Sequence, residues 1–119
     1  MTPRINQYAT TLIRLSNLSE CEKRRWLKTK LDKDFVHCVC ECALNLLRGK
    51  VPLDKRQRSS LIHRKKTLRE LIRRKVSLKR KKKIIQTAGF LGALIDPIIS
   101  ILDGLLGANN IDAGAMMEQ

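Results

Sequence analysis

Residues 32–54 read DKDFVHCVCECALNLLRGKVPLD. Phe35, Val39, Cys42 and Leu46 recur every three or four positions, which is the period of one helical face. Asp32 or Asp34 stands where an N-cap is wanted, its carboxylate able to accept from first-turn N–H groups that lack a partner. Gly49 falls just past the last periodic residue, where a left-handed conformation closes a helix and a Cβ is unwelcome. Val51-Pro52 then forces extended backbone, because the proline ring crowds an α conformation in the residue before it. The stretch therefore predicts a helix over 35–48, a short connection, and Asp54 as the cap of the next helix.

On either side of this stretch the same signals recur. Upstream, Ser19 followed by Glu22 is a capping-box pattern opening a helix over about residues 20–31. Before it, Pro3 suits a first helical turn, and Ile5, Ala9 and Leu12 share a stripe over 3–15. Downstream, residues 55–75 predict a long helix with Leu61, Ile62, Leu68, Leu71 and Ile72 on one apolar face, interrupted by Lys65. Val76-Ser77 breaks that pattern, and Ser77 can cap a short helix ending near Ile85. No period-two alternation is long enough for a strand. The expected fold is all-α: a small domain of about five helices, with a long basic helix and an apolar C-terminal helix. At 119 residues the chain suits one modest domain.

Charge divides the chain more sharply than hydropathy does. Residues 1–54 carry ten basic and six acidic side chains, and residues 55–83 carry fifteen basic ones against Glu70 alone. Residues 84–119 hold no Lys or Arg and four acids. This predicts a helical N-terminal part (1–54), a basic helical zone (55–83), an apolar helical segment (84–107) and a flexible tail (108–119).

The basic zone consists of Lys55, Arg56, Arg58, Arg64, Lys65, Lys66, Arg69, Arg73, Arg74 and Lys75, then Lys79, Arg80, Lys81, Lys82 and Lys83. Like charges one helical turn apart repel, and a polyanion removes that penalty while releasing its own counterions. These fifteen residues are the expected nucleic-acid contact, and Lys79 to Lys83 also has the form of a nuclear-localisation cluster. Tyr8, Trp26, Phe35 and Phe90 lie far apart in sequence. Readers of single strands stack bases on clustered aromatics, so contact with phosphates of duplex DNA or another polyanion is expected instead.

The segment GFLGALIDPIISILDGLLG, residues 89–107, is the most apolar in the chain. It is shorter than the ~20 residues of a membrane span, and Asp96 near its centre opposes insertion. At helical spacing the small and acidic residues from Gly89 to Gly107 occupy about a third of the circumference. The remainder includes Phe90, Leu91, Leu94, Ile95, Ile98, Ile99, Leu102 and Leu105, an arc too wide for an ordinary surface helix. Three roles are open to it: completing the core, membrane contact, or self-association into a homo-oligomer through the small-residue stripe. Asp96-Pro97 predicts two short helices or a kink, with Asp96 as N-cap and Pro97 as first helical residue.

His37, Cys38, Cys40 and Cys42 invite a metal reading, but on a helix Cys40 points about 160° from Cys38 and Cys42. Only Cys21 is left to complete a set of thiolates. The expectation is reduced, metal-free thiols that pack as small hydrophobes. The N-terminus lacks the charged-then-apolar pattern of a secretory signal. No Gly-rich phosphate loop, paired-carboxylate site or G-x-S-x-G motif is present, so neither catalysis nor a cofactor is expected.

The order of three motifs carries a resemblance: CECALNLLRGKVPL at residues 40–53, RRKVSLKRKKKII at 73–85 and GFLGALIDPIISILDGLL at 89–106. This order resembles small basic proteins of Polinton/Maverick and adintovirus-like DNA elements, themselves similar to the basic core proteins of adenoviruses. The resemblance implies an internal virion protein that condenses packaged DNA without sequence preference and is found in the virion and the host nucleus. It also implies capsid proteins as partners and membrane or capsid contact through residues 89–107. Such relatives often carry Gly-Gly before the Phe, typical of the viral protease's cleavage sites, whereas Ala88-Gly89 precedes Phe90 here. A membrane-active or membrane-anchoring protein, working through its apolar C-terminal segment, is the alternative function.

Overall fold

A computed structural model describes the backbone of residues 3–87 and 89–114, with side chains as far as Leu102. Among the described residues there are seven α-helices and no strand, so the class is all-α. They are α1 (Pro3–Gln7), α2 (Ala9–Ser16), α3 (Glu20–Lys30), α4 (Lys33–Leu47), α5 (Lys55–Ile72), α6 (Leu78–Ile85) and α7 (Phe90–Gly114).

The ends of the helices follow local chemistry. Asp32, and not Asp34, caps α4, its Oδ1 accepting from Phe35 N at 2.8 Å. Ser19 and Glu22 close the expected capping box on α3 at 3.2 and 3.1 Å. Asp54 and Gln57 form an equivalent pair on α5 at 2.7 and 3.1 Å. Ser77 Oγ accepts from Arg80 N to start α6. Gly49 has φ +70°, and the Lys50 and Gly49 N–H groups donate to Asn45 and Leu46 carbonyls at 3.0 and 3.2 Å. That pairing is a Schellman closure, which needs the left-handed residue.

The helix count exceeds the expected five partly because the first helix is two. Tyr8 sits at φ −98°, ψ 10° between α1 and α2, in the bridge region outside the helical well. Its own N–H and carbonyl still bond Arg4 O and Leu12 N, so the interruption is a single residue wide. There the Tyr8 ring meets Phe35 edge-on, with centroids 5.6 Å apart.

α4 is the hub. It packs on α1, α5, α6 and α7, and Phe35, Val36, Cys38, Val39, Cys42, Ala43 and Leu46 are all buried. α7 lies against α2 and α5 as well as α4. A helix apolar over most of its circumference must be surrounded, and as far as Leu102 α7 is: Phe90, Leu91, Leu94, Ile95, Ile98 and Leu102 are buried in the common core, with Ile99 half-buried against it. Each such side chain contributes about 1.5–3 kcal/mol by leaving water. Leu105 lies outside the residues whose side chains are described.

Of the two outcomes expected at Asp96-Pro97, two short helices or a kink, the division into two helices does not occur. α7 runs unbroken through Pro97 and on to Gly114, beyond Gly107. Pro97 cannot bond the Ala93 carbonyl, yet buried residues on both sides of it belong to one core, and that shared burial holds the helix together. Asp96 does not cap. Its Oδ2 accepts from Gln57 Nε2 at 2.9 Å, tying α7 to the first turn of α5.

The apolar face assigned to α5 also needs correction. Leu68 and Leu71 are buried and Leu61 and Ile72 are half-buried against the core, but Ile62 is 63% exposed. Helical geometry places Ile62 about 120–180° from Leu68 and Leu71. Only one stripe of α5 can meet α4 and α7, and Ile62 falls on the other side, with Lys65.

Candidate nucleic-acid interface

Eighteen residues long, α5 extends ~27 Å. Its inward stripe leaves Lys55, Arg56, Arg58, Lys65, Lys66 and Arg69 exposed. Arg73, Arg74 and Lys75 follow, exposed, in the link to α6, where Lys79, Arg80 and Lys83 are exposed and Lys81 and Lys82 half-buried. α5 ends at Ile72, three residues short of the expected position, because Arg73 turns extended at ψ 134°. That turn lets α6 fold back onto α4 and α5, so one continuous basic run becomes two adjoining basic surfaces.

Glu70 fastens them. Arg80 Nε donates to Glu70 Oε2 at 2.8 Å and Arg80 Nη2 to Oε1 at 3.4 Å, the fork geometry for which guanidinium is suited. Hydrogen bonding from Arg80 holds the Glu70 carboxyl below the usual carboxylate range. Arg56 approaches Asp96 at 3.9 Å. Among the described residues, Arg56 and Arg80 alone of the fifteen have an acid within 4 Å. The zone is thus cationic with almost no internal neutralisation.

Two of the expected contact residues stand apart. Arg64 faces the cleft between α5 and α7, beside Leu61, Leu68, Leu94 and Pro97, and its Nε is buried without a protein partner among the described residues. Lys81 lies near the Cys40 thiol, whose pKa is raised by burial and lowered in part by that ammonium. The Cys40 Sγ–H donates to Leu71 O at 3.5 Å, so this cysteine joins α4 to the end of α5. Cys38 and Cys42 are fully buried and Cys21 is exposed; none is in a disulfide.

α3 adds cations that the division by sequence left in the mixed N-terminal part. Arg24, Arg25, Lys28 and Lys30 are all exposed, and Gln86 Nε2 donates to Leu27 O at 3.1 Å. The end of α6 therefore adjoins α3. The run KRRWLKTK was the available signal, with both nearby acids confined to the first turn.

Three of the four aromatic residues converge in space. Tyr8 and Trp26 both meet Phe35 edge-on, at 5.6 and 4.9 Å between centroids. Phe35 is buried and the other two half-buried, so the cluster forms a corner of the core. No described helix is by itself long and apolar enough to cross a membrane; the bent pair of α6 with α7 through Leu102, at 80°, passes only by length and composition.

Comparison with family models, curated proteins and solved structures yields no match to this chain.

Proposed function

We propose that this chain binds and condenses duplex DNA with little sequence preference, as an internal structural protein of a virion acting in the host nucleus. The observation that carries the binding reading is the exposed cationic surface of α5 and α6, opposed among its own residues by Glu70, which Arg80 already occupies. Such a surface binds by displacing counterions from phosphates, so affinity should fall steeply with salt. Cations on α3 extend it, and a protein with basic surfaces on several helices can bridge neighbouring duplexes. The virion setting comes from the resemblance of the three motifs to core-type proteins. The membrane alternative would require α7 to withdraw Phe90, Ile95 and Ile98 from the core.

The test is a salt titration of affinity with two unrelated duplexes, beside neutral and anionic vesicles. The expected result is a steep salt slope and similar affinity for both duplexes. Replacing Lys79, Lys81, Lys82 and Lys83 by Gln should flatten that slope by about one unit for each phosphate no longer neutralised. Helicity should be preserved, since Gln and Lys have similar propensities. A flat salt response overturns the reading, as does a preference of about a thousandfold or more, the range of specific binders.

A further inference from the structure

Ile62 is the most exposed large apolar side chain described, and it stands in the middle of the cationic face. At helical spacing Arg58, Lys65 and Lys66 lie within about 60° of it one turn away, and Lys55 and Arg69 stand in line with it two turns away. All five are exposed. Ile62 is thus an apolar group ringed by cations on the side of α5 turned away from the core. A second copy of the same face would be repelled by these cations, so charge complementarity selects a polyanion as the occupant.

We propose that α5 lies in the major groove of duplex DNA, with the flanking cations on the phosphates and Ile62 against thymine 5-methyl groups. The major groove, about 12 Å wide, admits an α-helix, whereas the minor groove, about 6 Å wide, does not. The thymine methyl is the apolar group that base pairs present there. Ile62 therefore adds a contact that salt does not screen, and with it a mild preference for A·T-containing duplexes on top of non-specific phosphate binding. This inference rests on the duplex-binding reading.

The experiment compares two duplexes of one sequence, one containing thymine and the other deoxyuridine at every such position, so that they differ by the methyl groups. Each is titrated with the full chain and with Ile62→Ala across a salt series. Phosphatidylserine-containing vesicles form a third arm. The original chain should bind the thymine duplex about fourfold more tightly, the effect of burying roughly one methyl. Ile62→Ala should bind both duplexes equally, with an unchanged salt slope, and circular dichroism should show unchanged helicity because Ile62 is largely exposed and outside the buried core.

If the original chain does not distinguish the duplexes, or Ile62→Ala keeps the distinction, the methyl contact is wrong while a steep salt slope still upholds duplex binding. Equal weakening on both duplexes also overturns it. So does a loss confined to vesicles, which would assign Ile62 to lipid. A flat salt response in the original chain removes the duplex-binding reading itself.

Discussion

Arg80 and Glu70 form a two-point ion pair, 2.8 and 3.4 Å long, between the start of α6 and the last turn of α5. The single acid in residues 55–83 therefore orients two basic helices relative to each other, at the expense of one cation's availability to phosphate. Glu70→Gln should free Arg80 and raise the net charge of the surface by one. Duplex DNA should then bind more tightly, with a salt slope steeper by up to about one unit. A titration of this variant at several salt concentrations decides it, and weaker binding would show that the orientation of α6 matters more than its charge.

The same pair has a pH signature. Because Arg80 lowers the Glu70 pKa in the folded protein, the pair's contribution to stability is present above the carboxyl's unfolded value. It disappears as pH falls through the lower folded value. Stability measured by denaturant titration from pH 6 to pH 2 should decline less at the acidic end in Glu70→Gln than in the original chain. Arg80 is exposed and Glu70 only half-buried, which keeps the difference small.

Burial of α7 predicts that its residues behave as core. Ile95 is fully buried, so Ile95→Ala should destabilise the fold by about 2–5 kcal/mol, through the forfeited transfer energy and the cavity left behind. Equilibrium unfolding in urea measures this. An unchanged midpoint would mean that α7 serves a membrane or a second copy instead. Truncation before Gly89 should be worse still, because it removes Phe90, Leu91, Leu94, Ile95, Ile98 and Leu102 from one core.

Thiol chemistry should separate the four cysteines. Cys21 is exposed, whereas burial raises the Cys40 thiol, and hydrogen bonding with Cys38 together with burial raises Cys42 well above the ordinary range. An aromatic disulfide reagent at pH 8 should titrate Cys21 first, Cys40 slowly, and Cys38 and Cys42 only on unfolding, since the thiolate is the reacting form. Rapid reaction of all four in the native state would contradict the placement of α4 in the core.

Gly49→Ala tests the closure of α4. Nothing lies within 4 Å of a Cβ built there, so the cost is the left-handed conformation alone, about 1–2 kcal/mol. A neutral substitution, measured by thermal or urea unfolding, would show that the Schellman turn relaxes at no cost.

The features legible in the residues alone lie within one or two helical turns. Caps at Ser19, Asp54 and Ser77, the stop at Gly49 and the segregation of charge all follow from a side chain and the backbone beside it. The all-α class follows from them. Other features depended on where distant residues came to rest. Ile62 and Leu61 are adjacent and equally apolar, and only the positions of α4 and α7 decide which of them meets the core. Pro97 carries a local signal to divide a helix, and burial on both sides of it outweighs that signal. Tyr8, Trp26 and Phe35 are separated by loops whose length says nothing of their convergence, yet they share one corner of the core. Local hydrogen bonds are specified by neighbours in the chain, whereas the choice among competing apolar stripes is made by packing, which sums interactions that no short stretch of sequence contains.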